Sequence, residues 1–122
     1  MTIVCMDNTP IMLHSLKENA AKAYPCANVQ TFLSADYALD YAKKFGCDIL
    51  LCEINPPRLE GLFLAEKVKN INPQVNIIFV TVCSESEHAK AVMRLKPSGY
   101  LTKEATSTQI LEELQNLRYP VA

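Results

Sequence analysis

Short apolar runs at residues 2–6, 29–33, 48–54, 75–83 and 98–102 alternate with stretches whose apolar positions recur every three or four residues. Pro10 suits the first turn of a helix that reaches about Tyr24, where Pro25 breaks it. Ser34 is placed to cap a second helix with Ala35, Ala38, Leu39 and Ala42 on its apolar face, and Gly46 ends it. The run at 48–54 is nearly continuous Ile-Leu-Leu-Cys, the pattern of a central strand buried on both faces, closed by Asn55-Pro56-Pro57. Gly61 is read as the end of a loop before a helix carrying Leu62, Ala65 and Val68, which Asn72-Pro73 separates from the fourth strand. Ser84 with Glu87 forms a capping box for a helix to about Leu95, and Ile110, Leu111, Leu114 and Leu117 mark the last helix. The expected fold is a single α/β domain, residues 1–122, with a doubly wound five-stranded parallel sheet and five helices, (βα)5.

Parallel sheets hold their ligands at the carboxyl ends of the strands. Asp7, Glu53, Thr81 and Lys103 all fall there, so two carboxylates, a hydroxyl and an ammonium would converge. That set points to phosphate or metal chemistry.

Composition narrows the field. With 122 residues the chain builds one core, and 49% hydrophobic and 20% charged residues with a net charge of -1 leave no basic excess for nucleic acid. Its apolar stretches stop well short of the roughly 20 residues of a membrane span, and the amino terminus lacks a signal core. The expectation is a cytoplasmic protein that contacts neither membrane nor nucleic acid. The five cysteines are odd in number and show no CxxC spacing, which favours reduced core thiols. Cys52 and Cys83 would lie near the proposed site and leave a redox switch as the other reading, although neither has a flanking cation to favour thiolate. His14 and His88 are isolated from any partner at metal-ligand spacing.

The segment DILLCEINPPRLEG, residues 48–61, resembles the phosphoacceptor segment of response-regulator receiver domains of the CheY-like superfamily. The likeness continues through IIFVT ending at Thr81, SGYLTK ending at Lys103, and EELQNLRYP near the end of the chain. The latter half resembles most the receivers that precede a DNA-binding output domain in Gram-positive bacteria, which would lie outside these 122 residues. The resemblance implies phosphorelay signalling within a two-component system. An aspartate on the central strand takes a phosphoryl group, and a divalent metal held by acidic residues offsets its charge. A lysine and a hydroxyl contact the phosphoryl oxygens, and an aromatic residue three positions before the lysine turns inward. Thr81, Tyr100 and Lys103 occupy the phosphoryl-contact and switch positions.

Three positions depart from that pattern. Glu53 stands where the family has its phosphoacceptor aspartate, and one more methylene moves the carboxylate by about 1.5 Å. A misplacement of about 1 Å costs about a hundredfold where in-line geometry matters. Met6 replaces one acidic metal ligand, leaving Asp7, Glu53 and the carbonyl near Asn55 to hold magnesium weakly or not at all, because that ion prefers oxygen. Glu104 follows the lysine where the family usually has proline.

The resulting expectation is a pseudo-receiver that signals through protein contacts and is not an enzyme. Glu53 either pairs with Lys103 or accepts from Thr81 in a partial imitation of the phosphorylated state, or reflects loss of the reaction and merely forms an ion pair. The implied partners are a histidine kinase or an output domain, with a homodimer through residues 84–119 as a further contact. A conventional phosphoaccepting receiver controlling a transcription-regulatory output domain is the alternative. A flavodoxin-like enzyme fits poorly, because Asp7-Asn8-Thr9-Pro10 puts an acid and no glycine where backbone amides would cradle phosphate.

Overall fold

A computed structural model of the chain describes residues 1–54, 59–81 and 89–121. Its strands are β1 (Thr2–Met6), β2 (Asn28–Phe32), β3 (Ile49–Glu53), β4 (Asn76–Thr81) and β5 (Gly99–Thr102). The helices are α1 (Pro10–Ala23), α2 (Ala35–Phe45), α3 (Glu60–Ile71), α4 (Ala89–Arg94) and α5 (Ser107–Gln115). All strand pairs are parallel, in the order β2-β1-β3-β4-β5, which is the doubly wound sheet read from the apolar pattern.

Every residue of β3 and β4 is buried, as a strand covered by helices on both faces requires. Alternation along β3 divides the core into two layers. Leu50 and Cys52 join the cluster under α2, α3 and α4, whereas Ile49 and Leu51 join the one under α1 and α5. Ala38 and Ala42 of α2, and Leu62, Ala65 and Val68 of α3, are buried as their spacing implies.

Several boundaries differ from the sequence reading. β2 begins one residue early, at Asn28, because the Asn28 N–H is drawn to the Met1 carbonyl at 2.9 Å and extends the ladder. Asp48 lies outside β3, and its carboxylate accepts from the Thr2 N–H at 2.8 Å. Ser34 occupies the position before α2, yet its side chain accepts no cap hydrogen bond; its backbone carbonyl takes the Ala38 N–H instead. Among the described residues, a helix cap that the spacing encodes is at α5. There Thr106 and Gln109 bond reciprocally, a T-x-x-Q box legible in the sequence but not singled out. Leu117 lies beyond α5 and still packs on the core. The Ser84–Glu87 cap, Cys83, His88 and the Asn55-Pro56-Pro57 turn fall outside the described residues.

Gly61 belongs to the first turn of α3, not to the preceding loop. A Cβ at this position would meet the Glu53 carbonyl oxygen at 1.6 Å, so only glycine lets the helix approach the end of β3. The Cys52 thiol donates to the Gly61 carbonyl at 3.6 Å across the same contact. At the opposite end of the sheet, Asn76 clamps the carboxyl-terminal segment. Its side-chain amide donates to the Tyr119 carbonyl at 2.9 Å and accepts from the Tyr119 N–H at 2.8 Å. The family-like ending of the chain is thereby tied to the start of β4.

Gly61→Ala is expected to lower unfolding stability by about 1–3 kcal/mol or more, the range for forcing atoms into a packed contact. Urea denaturation checks this, and an unchanged midpoint would mean that α3 retreats freely from β3.

Candidate functional site

The sheet brings Asp7, Glu53, Thr81 and Lys103 to one edge because each lies at, or just past, the carboxyl end of its strand. The ladder carries on past the strand ends, with the Lys103 N–H donating to the Thr81 carbonyl at 2.9 Å and the Ile54 N–H to the Val80 carbonyl at 2.9 Å. These bonds hold the backbone of β3, β4 and β5 in register up to the site. Side-chain positions are therefore set by the central strands and not by free loops.

Lys103 is the hub. Its Nζ lies 2.6 Å from Asp7 Oδ1, 2.7 Å from Asp7 Oδ2 and 2.9 Å from Glu53 Oε1. Asp7 and Glu53 are buried, and the lysine side chain is 17% exposed. Charged groups withdrawn from water to this extent are tolerated only when paired and hydrogen-bonded.

The loop after β1 supplies the remaining donors. The Asn8 N–H donates to Glu53 Oε2 at 2.8 Å, and the Thr9 N–H to Asp7 Oδ1 at 2.8 Å. Each of the four carboxylate oxygens thus faces an N–H donor. The pairing of Glu53 with Lys103 was anticipated. The capture of Asp7 by the same lysine, and the role of the Asn8 amide, were not. Only the Asp7–Thr9 turn had a local signature, since aspartate commonly bonds the amide two residues on.

Thr81 is buried at the end of β4. Tyr100 stands apart, 42% exposed on β5, with its ring 6.1 Å from that of Phe79 and its hydroxyl 3.6 Å from Met93 Sδ on α4. Partial burial pushes its phenol pKa up. The site thus divides into a buried ionic cluster and an aromatic position on the α4–β5 surface.

Among the described residues, magnesium would meet two carboxylates that are already paired with an ammonium. Met6 is buried within the apolar cluster under α2 and α3 and offers no oxygen. The described residues include no group of three or more histidine, cysteine, aspartate or glutamate side chains able to hold a metal. An incoming divalent ion would have to displace an ammonium already bound to both carboxylates, and would repel it. Asn55, the third ligand expected from the sequence, lies outside the described residues.

Cys52 does not have the surroundings of a redox sensor. It is buried, and burial raises its pKa well above the ordinary thiol range, with the neighbouring Cys47 and Glu53 adding to the shift. Burial likewise pushes the Cys5 and Cys47 thiols up to about 12. These three are protonated core residues, as the cysteine pattern implied.

The response regulator receiver domain family matches residues 3–115 of the chain. This protein belongs to that family. The receiver is 26% identical over 105 residues to Fimbriae Z protein of Salmonella typhimurium, covering 84% of this chain and 49% of that protein. It is 21% identical over 113 residues to the nitrate/nitrite response regulator protein NarL of Escherichia coli, covering 93% of this chain and 52% of that protein. The receiver therefore spans about half the length of these curated relatives. A solved CheY-like receiver domain protein from Methanospirillum hungatei superposes with a TM-score of 0.80 at 22% identity, covering 93% of this chain and 90% of that one, a likeness of fold. The chain is a response regulator receiver domain of two-component signal transduction, a family of signalling proteins. Among the described residues no helix is long and apolar enough to cross a membrane.

Two outcomes follow. Lys103→Met leaves two carboxylates buried without their cation and is expected to cost about 3–5 kcal/mol in urea unfolding, with Asp7→Asn/Glu53→Gln recovering part of the loss in the same background. In the folded protein, iodoacetamide should label exposed Cys26 more than about tenfold faster than Cys5, Cys47 or Cys52, read by peptide mass spectrometry. Fast labelling at Cys52 would reopen the redox reading.

Proposed function

We propose that this receiver is a pseudo-receiver, signalling through contacts with other proteins and without a phosphorylation cycle. The observation that carries the reading is the sharing of one ammonium by Asp7 and Glu53. Glu53 acts as an ion-pair partner. Its Oε1 is held by Lys103 and its Oε2 by the Asn8 amide, so neither oxygen is presented to a phosphoryl donor.

Charge supports the same conclusion. Two carboxylates and one ammonium leave the cluster net negative, and a phosphoryl group would add about −1.5 to −2 more. Without a well-held magnesium, with Asp7, Glu53 and Asn55 as the depleted ligand set, nothing in the cluster offsets that addition. Thr81 and Tyr100 retain the residue types of a switch, and in this reading they respond to a bound protein instead of a phosphoryl group. The partner is a histidine kinase or an output domain, and the α4–β5–α5 side within residues 84–119 is the surface for it or for a second copy. Met93 and Tyr100 expose apolar surface on that side, and Lys90, Arg94 and Lys96 bring positive charge.

The test is an amide NMR titration with magnesium and then beryllofluoride, a phosphoryl mimic. No saturable shift is expected at Glu53, Thr81, Tyr100 or Lys103 in the native chain. Glu53→Asp combined with Met6→Asp should restore a response by returning the shorter nucleophile and an oxygen ligand, with apparent affinity for the mimic rising about a hundredfold. Saturable shifts in the native chain that spread to α4 and α5 would instead establish a conventional phosphoaccepting receiver.

A further inference from the structure

The opposite edge of the sheet carries features that the phosphoryl site does not explain. β2 is an edge strand with the sequence Asn28-Val29-Gln30-Thr31-Phe32, without a charge, proline or glycine. It pairs with β1 residue for residue from Thr2 opposite Asn28 to Met6 opposite Phe32, so no bulge twists it away. Edge strands usually carry such protections against pairing with another chain. None of its residues is buried, in contrast to β3 and β4.

The helix above this edge exposes aromatic rings. Tyr37, Tyr41 and Phe45 recur every fourth residue along α2 and form a stripe on the flank that faces the edge. Tyr41 packs on Phe32 of β2 at 5.6 Å and on Phe45 at 4.6 Å, and its hydroxyl accepts from the Asn28 side-chain amide. Tyr37 is 71% and Phe45 62% exposed. An open groove of about 700 Å³ runs beside the end of the strand, lined in part by Thr31, Phe32, Leu33 and Tyr37.

We propose that this face binds a second copy of the chain, through antiparallel pairing of β2 with β2 about a twofold axis at Gln30. The backbone phase permits it. The Asn28 N–H and Phe32 carbonyl point toward β1, so the alternating groups of Val29 and Thr31 point outward. With Gln30 opposite Gln30, Val29 of one copy exchanges both backbone hydrogen bonds with Thr31 of the other, and the symmetry repeats the pair. The twofold axis lies perpendicular to the sheet and brings the two α2 helices together on one face, antiparallel. Tyr37 then meets Phe45 of the other copy.

Charge on α2 selects this arrangement. Asp36 lies in the first turn and Asp40 in the middle, whereas Lys43 and Lys44 occupy the last turn. Antiparallel helices set the acidic end of one against the basic end of the other, and oppose their dipoles favourably. A parallel arrangement would set like charges together. An interface in which the same patch serves both partners is the isologous kind that closes as a dimer.

Sedimentation velocity should show a reversible dimer in the native chain, with hydrogen exchange at the Val29 and Thr31 amides slowing as concentration rises. Tyr37→Lys/Phe45→Lys and Tyr37→Glu/Phe45→Glu alter exposed positions, with folding confirmed by circular dichroism. Each should weaken the dimer at least about tenfold by setting like charges opposite each other, and an equimolar mixture should restore it. Met93→Lys, on the α4 side, should leave it intact. A monomer at NMR concentrations, free exchange at Val29 and Thr31 within a dimer, or dissociation by Met93→Lys would overturn the proposal.

Discussion

The ammonium of Lys103 is the constraint around which the carboxyl edge of the sheet is organised. Two carboxylates, from the ends of β1 and β3, are buried within reach of each other, and their repulsion in a poorly hydrated setting would push the strands apart. One cation placed between them, 2.6 Å from Asp7 and 2.9 Å from Glu53, converts that repulsion into a bridge across the first, third and fifth strands. The Asn8 and Thr9 amides complete the arrangement by turning the loop after β1 inward. The same bridge that stabilises the edge occupies the groups that would perform phosphoryl chemistry. On the proposed pseudo-receiver reading, structure and loss of reactivity are two consequences of one interaction.

Close approach of α3 to β3 reinforces this. Glycine at position 61 lets the helix rest on the Glu53 carbonyl, so the backbone that carries the carboxylate is held from above by the helix and from beside by β4. Glu53 therefore has little freedom to retract and mimic a shorter aspartate. Its extra methylene is accommodated by reaching toward Lys103 and the Asn8 amide instead. Tyr100, at 42% exposure, is under no comparable constraint.

The two edges of the sheet offer different surfaces. On the β5 side, Tyr100 and Met93 lie among basic residues of α4 and its neighbourhood. On the β2 side, an uncharged strand lies under the aromatic stripe of α2. The fully buried β3 and β4 lie between the two surfaces.

Much of this protein was written in the order of its residues. The alternation of apolar runs with helical periodicity determined five parallel strands and five helices, because burial on one or two faces dictates the repeat of apolar positions. The continuous run Ile49 to Cys52 marked a central strand, and the types at 7, 53, 81 and 103 marked where chemistry would gather. Set against the receiver pattern, residue type also revealed the departures Met6 and Glu53, since a thioether is not an oxygen ligand and a glutamate is longer than an aspartate. Only the tertiary structure decided which charges meet. That Lys103 takes Asp7 as well as Glu53 depends on strand ends 96 and 50 residues away in sequence arriving in register. Backbone amides such as that of Asn8 leave no trace in side-chain identity, and the aromatic stripe of α2 acquires meaning only once β2 is seen to be an unprotected edge.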